Sequence, residues 1–353
     1  MSFHLFTPDD PLWNRLYNRL PIEHQDVFYS PGFAALCQKT INSADRVLCA
    51  AWESATGGIA LYPFVQRDIG RVTGLENSDG LQDLVSLYGR GGMTVAGLAE
   101  EELAAFHRCV HDWALDNRVI CSFDRFHPVL RNEAVSVAGT RVIDVGGFVV
   151  VDLTDAIDLV ESRYKQSMRA DLGKAERSGV TVFFEESIDH LDEFLSIYYE
   201  TMRRHDAKEF YFFERAFFEL MPIYIPGKFL FSYARMNGDI VSAELILKHG
   251  IYAHCFLSGT KPEVRNQCPN HRLKRDLHRW LAARGCHHYL LGGGSNGDDG
   301  IFKYKRAFAP NGVLPSRVGG GVFDASAMQT LRQRMEVSGA VMNSGRFQFY
   351  DPQ

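Results

Sequence analysis

The stretch FLFSYARMNGDIVSAELILK, residues 229–248, is the most informative part of the sequence for the fold. Residues 229–235 are rich in aromatic and apolar side chains, as is typical of a β-strand. Met236-Asn-Gly-Asp239 follows as a hairpin turn, and residues 240–248 have the composition of its partner strand. The stretch therefore predicts an antiparallel β-hairpin.

The sequence on both sides of this hairpin alternates between strands and helices. Downstream, a strand at 252–257 is followed by a helix at 269–284 that stops at Gly285, and by a strand at 288–291. Upstream, residues 155–178 are strongly helical and end at Gly179. Between them lie predicted elements at 180–184 (strand), 191–204 (helix) and 214–221 (helix).

The first half of the chain repeats this order of elements. It has a strand at 46–53, a Gly-bearing turn, a partner strand at 59–65, a helix at 98–117 and a further strand at 119–123. The repeat predicts two similar α/β domains, each a mixed β-sheet flanked by helices, joined near residues 145–160 and packed around a cleft. The predicted divisions are residues 1–150, residues 151–320, and a C-terminal helix and tail at 321–353.

Composition excludes several classes of protein. With 353 residues, 46% hydrophobic and 23% charged, the chain is neither disordered nor a coiled coil. It has no apolar run of transmembrane length, and its N-terminus lacks a secretory pattern. Its seven cysteines are scattered, as in a cytoplasmic protein with reduced thiols. A net charge of −5 argues against non-specific nucleic-acid binding, and we predict no metal site.

Two stretches of the first half favour ligand contacts. Tyr88-Gly-Arg90-Gly-Gly allows the backbone to approach a ligand, while Tyr and Arg supply stacking and anion contacts. The alternative is an ordinary Gly-rich loop with a packed Tyr88. Further on, Arg125 next to Asp124 is either half of a buried pair or an anion contact.

The second half adds a basic helix and a polar loop. Lys165, Arg169 and Lys174 lie on an amphipathic helix, where they form either a solvated face or contacts to phosphates. Tyr211 lies near His205 in a loop between two helices.

Lys305 lies between Tyr304 and Phe308 after a Gly-rich segment. Its ammonium, held in an apolar cleft, is suited to polarise a carbonyl or stabilise an oxyanion. The alternative is a basic strand edge. The letters of residues 292–297 also match GxGxxG and GxSxG. We interpret both matches as chance, because each motif needs a helix directly after it and Asp298-Asp299-Gly300 is a poor helix start.

Taken in order, these stretches resemble the FemABX-like family, whose members have two tandem GNAT-like domains. The resemblance runs from about residue 25 to about residue 312. It rests on five stretches, which are Asp83 with Tyr88-Gly-Arg-Gly-Gly; Arg125-Phe-His-Pro-Val-Leu-Arg-Asn132; Lys165 to Gly179; the Gly238 hairpin with Val241-Ser-Ala-Glu-Leu; and Tyr304-Lys305-Arg-Ala-Phe308.

The resemblance implies acyl transfer to an amine, without a metal, a cofactor or a covalent enzyme intermediate. It places Lys305 where the acyl ester meets the amine, and Glu244 on a strand that often carries a base, although an ion pair with a nearby Arg is an alternative for Glu244. The residues implied for substrate binding are Asp83, Tyr88, Arg90, Arg125, Tyr211, Tyr304 and Phe308. Those implied for donor phosphates are Lys165, Arg169, Lys174, Arg272 and Arg275.

The expected partners are aminoacyl-tRNA as donor and an amine acceptor, either a small molecule or a peptide resembling a peptidoglycan precursor. GNAT enzymes that use acetyl-CoA hold its pyrophosphate on a Gly-bearing loop. Here the matching place, Arg265-Asn-Gln-Cys-Pro-Asn270, has no Gly. This favours an aminoacyl ester, whereas the absence of a long helical arm weakens the tRNA interpretation. The alternatives are an acyl-CoA-dependent N-acetyltransferase acting on an amino sugar or small metabolite, and a non-catalytic binding module.

Overall fold

A computed structural model describes residues 2–74, 78–137, 139–294, 299–343 and 346–351. The chain forms two compact units: unit 1 is Met1–Val145 with Ser316–Gln353, and unit 2 is Gly146–Pro315. The C-terminal segment that we predicted as a separate region, residues 321–353, therefore lies in unit 1. Its aromatic residues Phe349 and Tyr350 are buried in a core cluster of that unit, together with Ile120 and Leu331.

The helices and strands have the following bounds. The first part of the chain forms β1 (Ser2–Phe6), α1 (Pro11–Arg19), α2 (Pro31–Lys39), β2 (Arg46–Glu53), β3 (Ile59–Asp68), α3 (Ile69–Thr73), β4 (Gln82–Val85), β5 (Thr94–Ala96), α4 (Glu100–Asp116), β6 (Val119–Arg125) and β7 (Arg141–Asp152). The rest forms α5 (Ile157–Ser162), α6 (Gln166–Arg177), β8 (Thr181–Glu185), α7 (Leu191–Arg204), α8 (Arg215–Tyr224), β9 (Phe229–Met236), β10 (Asp239–His249), β11 (Tyr252–Thr260), α9 (Pro269–Ala282), β12 (His288–Gly292), α10 (Gly300–Phe308), β13 (Val313–Val322) and α11 (Ala325–Ser338).

The sheet of unit 1 has the strand order β1-β2-β3-β4-β6-β13, with β5 also paired to β3. β4 and β6 are parallel, and the other neighbours are antiparallel. The helix α4 packs Phe106, Val110 and Ala114 into the core against Tyr62 and Phe64 of β3. This four-residue spacing places the three side chains on one face of the helix, as the apolar stripe of a surface helix requires.

The sheet of unit 2 has the order β7-β12-β11-β10-β9-β8. β11 and β12 are parallel, and the other neighbours are antiparallel. The predicted hairpin is confirmed as β9 and β10, and its turn residues Asn237 and Gly238 have φ of +52° and +91°. Both units thus contain antiparallel strands followed by one parallel pair, which confirms the mixed sheets and the repeated order of elements.

The core of unit 2 lies between its sheet and the helices α6 and α9. Met168 and Leu172 of α6 and Leu277 and Leu281 of α9 are buried against strand residues such as Ile246. The sequence predicted a single helix over 155–178, but the structure has α5 and α6. The helices are separate because the backbone N–H of Lys165 donates to Ala307 O at 3.0 Å instead of continuing a helix.

Lys305 lies on a helix, which the sequence analysis did not predict. The carboxylate of Asp299 accepts a hydrogen bond from the backbone N–H of Phe302 at 2.8 Å and so caps α10 at its start. The prediction that Asp298-Asp299-Gly300 is a poor helix start was therefore wrong, and so was the alternative of a basic strand edge. Residues 295–297 of the two letter motifs lie outside the described residues.

Candidate active site

The two parallel strands of unit 2 separate towards their carboxyl ends. The parallel pairing of β11 with β12 covers residues 252–254 and 288–290. Beyond it, β11 continues along β10 as far as Thr260, whereas β12 ends at Gly292. Ligands of open α/β sheets bind beyond the carboxyl ends of parallel strands. The end of β12 is therefore the place in unit 2 where a ligand site is expected.

Lys305 lies at this end of β12. Its Nζ donates a hydrogen bond to Gly293 O at 2.8 Å. A Cβ at Gly292, where φ is +95°, would lie only 3.1 Å from the same Nζ, so glycine leaves room for the ammonium. Burial lowers the pKa of Lys305, and the positive charge of Lys274 acts in the same direction. The structure thus presents a partly buried ammonium, fixed by a backbone carbonyl, at the expected ligand site.

A buried polar cluster lies close to this lysine. The ammonium of Lys274 donates to Glu244 Oε2 at 2.5 Å and to the Tyr289 hydroxyl at 3.0 Å. The Tyr289 hydroxyl donates to Glu244 Oε1, and Cys255 Sγ lies 3.4 Å from Lys274 Nζ. The side chains of Lys274 and Glu244 are only 5% and 2% exposed. Each charge therefore has its partner within the core.

Glu244 is thus held by an ion pair, as one of the two interpretations expected, but with Lys274 instead of an arginine. Because both carboxylate oxygens accept hydrogen bonds, the geometry favours a positioning role for Glu244 over that of a base. Lys274 and Tyr289 were not predicted from the sequence. Lys274 precedes Leu277 and Leu281 at helical spacing, so it lies on the buried face of α9, and this spacing was the available signal.

Tyr304 and Phe308 anchor α10 against α9. The Tyr304 hydroxyl donates to Asn270 O at 3.4 Å, and the ring of Tyr304 lies 5.0 Å from that of His271. The Phe308 ring lies 5.5 Å from that of Tyr304 and 5.5 Å from that of His278. These contacts fix the helix that carries Lys305.

The basic residues predicted to bind phosphates divide into two groups. Lys165, Arg169 and Lys174 are exposed and form no ion pair with any described residue. Arg272 and Arg275 bind carboxylates instead: both contact Glu176, at 3.2 and 2.9 Å, and both contact Asp276. The exposed group therefore remains the candidate phosphate surface, and the two arginines of α9 contribute to the contact with α6.

Asp83 lies in a buried network of unit 1. Its carboxylate accepts two hydrogen bonds from Arg67, at 3.0 and 2.8 Å, one from Tyr350 at 2.8 Å and one from Gln348 at 2.7 Å. Arg67 also contacts Asp351 at 2.9 Å. The side chain of Asp83 is fully buried, so the structure does not place it at a substrate surface. It fastens the C-terminal segment to the sheet.

The Tyr350 hydroxyl offers a direct test of this fastening. Tyr350→Phe removes one hydrogen bond to a buried carboxylate and is expected to lower the free energy of unfolding by about 1.5–3 kcal/mol. Urea denaturation of both proteins measures the difference. Tyr211→Phe is the matched control, because Tyr211 is 44% exposed. Equal stability of the Tyr350 variant and the wild type would mean that the C-terminal segment is not held through this hydroxyl.

The predicted Gly-rich loop is held against the end of β6. Gly91 N donates to Arg125 O at 2.8 Å, and Asn132 donates to Gly91 O at 2.8 Å. Tyr88 and Arg90 are half-buried in this loop, whereas Arg125 is exposed. Burial, together with the charge of Arg125, lowers the pKa of Arg90 to about 10. The positive charge of Arg125 thus acts on Arg90, and an anion contact at these two residues stays a prediction.

Asp124 does not pair with Arg125. It is buried and accepts hydrogen bonds from Tyr62 at 3.0 Å and from Ser86 at 2.9 Å. Successive side chains of a strand point to opposite faces, which separates the carboxylate from the neighbouring guanidinium. Burial raises the pKa of Asp124 to about 6.

This raised pKa predicts a specific dependence of stability on pH. The folded state favours the protonated carboxyl, so the contribution of Asp124 to stability is present below about pH 4 and is lost as the pH rises through about 6. We expect wild type to lose about 2–3 kcal/mol relative to Asp124→Asn between pH 4 and pH 7. Urea denaturation at several pH values tests this, with Asp112→Asn at an exposed site as control. Parallel pH profiles for wild type and Asp124→Asn would contradict it.

Tyr211 lies at the end of a short 3₁₀ helix, Glu209–Tyr211, between α7 and α8. Its ring is 44% exposed and lies 5.6 Å from the exposed ring of Phe210. Its backbone carbonyl accepts a hydrogen bond from Tyr198. Tyr211 is therefore accessible to solvent, and substrate binding by this residue stays a prediction.

Comparisons with known proteins agree with this geometry. Residues 162–306 match the family model described as an acetyltransferase (GNAT) domain. The crystal structure of FemX superposes with a TM-score of 0.71 at 13% identity, covering 95% of this chain and 100% of that chain. A tandem GNAT protein from the clavulanic acid biosynthesis pathway superposes with a TM-score of 0.51 at 9% identity, covering 92% and 99%.

A third structure is the C-terminal domain of a putative lysylphosphatidylglycerol synthetase from Agrobacterium fabrum. It superposes with a TM-score of 0.55 at 17% identity, covering 91% of this chain and 96% of that chain. A sequence search of the curated proteins finds no match. No helix among the described residues is long and apolar enough to cross a membrane.

These findings confirm that the chain has a FemABX-like tandem GNAT fold. The GNAT domain match includes the strands and helices that position Lys305. The part of the chain that carries Lys305 accordingly matches an acetyltransferase domain.

Proposed function

We propose that the protein transfers an aminoacyl group from aminoacyl-tRNA to an amine acceptor and so forms an amide bond. The observation that carries this proposal is the partly buried ammonium of Lys305, held by Gly293 O at 2.8 Å beyond the end of β12. A fixed positive charge in a partly desolvated site is suited to stabilise an oxyanion as it develops.

In the proposed reaction the amine nitrogen attacks the carbonyl carbon of the aminoacyl ester. The carbonyl oxygen becomes an oxyanion, and the ammonium of Lys305 stabilises it. The intermediate then collapses to the amide as the ester C–O bond breaks, and the ribose oxygen leaves with the proton that the amine loses. Binding both substrates in one orientation supplies much of the remaining acceleration. Glu244, Lys274 and Tyr289 act as positioning residues in the wall beside Lys305.

The surroundings of α9 support an aminoacyl ester over acyl-CoA. α9 begins at Pro269, which has no backbone N–H, and no glycine lies between Arg265 and Asn270. This place therefore offers few backbone donors for a pyrophosphate. The exposed residues Lys165, Arg169 and Lys174 on and next to α6 supply contacts for donor phosphates.

Two arginines of unit 1 favour an acceptor substrate that carries a negative charge. Arg90 and Arg125 are close enough for Arg125 to lower the pKa of Arg90, and two guanidinium groups together favour a phosphate or carboxylate. A peptidoglycan-precursor-like peptide or a smaller anionic amine meets this requirement.

The deciding experiment offers two donors separately to the purified protein. Radiolabelled mixed aminoacyl-tRNA and radiolabelled acetyl-CoA are incubated with it, and binding and slow loss of the ester or thioester are recorded, with deacylated tRNA as competitor. Retention or turnover of aminoacyl-tRNA alone supports the proposal, and fractionation of the tRNA identifies the amino acid. Binding of acetyl-CoA alone assigns an acyl-CoA-dependent N-acetyltransferase, an activity that the GNAT domain match also accommodates. Transfer from neither donor overturns the proposal and favours a binding module.

A further inference from the structure

Arg204, the last residue of α7, has buried donors without acceptors. Its Nε and Nη1 atoms are inaccessible to solvent and donate no hydrogen bond to any described residue. Its Nη2 donates to Thr201 Oγ1 at 3.4 Å, and Glu200 Oε1 lies 3.8 Å from Nη1, beyond hydrogen-bond distance. Buried N–H groups in native proteins normally have hydrogen-bond acceptors. The geometry therefore indicates that a bound ligand supplies the acceptor atoms for Arg204.

A histidine and a second arginine lie close to Arg204. His205 follows it in the chain, and Arg265 lies in the 3₁₀ helix Pro262–Gln267 that follows β11. Partial burial lowers the pKa of His205, and the charges of Arg204 and Arg265 lower it further. Arg204 and Arg265 therefore place two positive charges around a neutral imidazole, although they come from two separate segments of unit 2.

This region is fixed in position relative to β11. α7 approaches β11 so closely that a Cβ at Gly259 would lie 2.7 Å from Thr201 Oγ1 and 2.8 Å from Ile197 O. Gly259 is the penultimate residue of β11. The end of α7 and the turn after β11 thus meet beyond the carboxyl end of the strand, on the side of the sheet where ligands of this architecture bind.

We propose that Arg204, His205 and Arg265 form a subsite for the phosphate group of a substrate. A tetrahedral oxyanion has enough oxygens to accept from Nε and Nη1 of Arg204 together, in the bidentate geometry that a guanidinium favours, and to contact a second arginine. The subsite contains none of the exposed basic residues Lys165, Arg169 and Lys174, which we assigned to donor phosphates. This subsite does not depend on aminoacyl-tRNA being the donor, because phosphate binding can be measured without any transfer reaction.

The test titrates inorganic phosphate at constant ionic strength and follows the thermal unfolding temperature. Phosphate should raise the Tm of wild type, and Arg204→Gln should weaken its apparent affinity at least about tenfold. Arg203→Gln is the matched control, because Arg203 is the exposed arginine next to it on α7. Arg265→Gln, at an exposed position, should also weaken binding without affecting the core.

Three results would overturn the proposal. They are an unchanged Tm in phosphate, an equal loss of affinity in Arg203→Gln, or acetate acting as strongly as phosphate, which would indicate a carboxylate site.

Competition then distinguishes the sources of the phosphate. If deacylated tRNA loses affinity in Arg204→Gln and CoA does not, the phosphate belongs to the tRNA; the opposite result assigns it to CoA. If neither ligand loses affinity, the phosphate belongs to the acceptor.

Discussion

Lys305→Ala is expected to lower kcat by roughly 10²-fold or more, because it removes the charge that stabilises the oxyanion. The interaction is stronger in the transition state than with the neutral ester, so kcat should fall much more than the affinity for the donor. Single-turnover transfer from radiolabelled aminoacyl-tRNA measures the effect separately from product release.

Lys303→Ala is the matched control, since Lys303 is exposed on the same helix two residues away. It should keep wild-type kcat. Thermal unfolding of both variants establishes that α10 still folds. An unchanged kcat in a folded Lys305→Ala protein would remove Lys305 from the mechanism.

Lys274→Met is expected to lower the free energy of unfolding by about 3–5 kcal/mol, because it leaves the carboxylate of Glu244 buried without its cation. Methionine is close to lysine in length, so packing changes little and the loss is mainly electrostatic. Urea denaturation at neutral pH measures the effect.

The double variant Lys274→Met with Glu244→Gln separates the two causes. It removes both charges and should recover much of the stability that Lys274→Met loses, since an uncharged pair needs no buried counter-ion. A double variant as unstable as Lys274→Met would show that packing, and not the unpaired charge, accounts for the loss. A loss below about 1 kcal/mol in Lys274→Met would mean that water reaches Glu244.

Elements with strong local signals could be predicted from the sequence. Asn237 and Gly238 adopt the positive φ that a tight hairpin needs, and this requirement is visible in the residue types themselves. The helix beginning at Pro31 follows from Ser30, whose side chain accepts from Phe33 N at 3.3 Å. The helix α10 was missed because a single capping residue, Asp299, outweighs a glycine at the first helical position.

Contacts between distant segments could not be predicted in this way. No sequence pattern near Asp83 indicates that Tyr350, which is 267 positions away, is its hydrogen-bond partner. Arg272 and Arg275 were assigned to phosphates because their charge is visible in the sequence, whereas their partner Glu176 on α6 is not. In the same way, helical spacing places Lys274 on the buried face of α9. That Glu244 compensates its charge is visible only in the folded structure.

The position of residues 316–353 within unit 1 has a consequence for biosynthesis. A ribosome releases the first 145 residues long before it makes β13, which pairs with β6 along residues 318–322. Until then β6 lacks its outer neighbour, and an unpaired strand edge is prone to associate with other chains. Unit 2 is contiguous in sequence and can complete its sheet first. Unit 1 is therefore finished after unit 2, although its first residues are made earlier, and the nascent chain must keep an open edge protected while the residues between β6 and β13 are made.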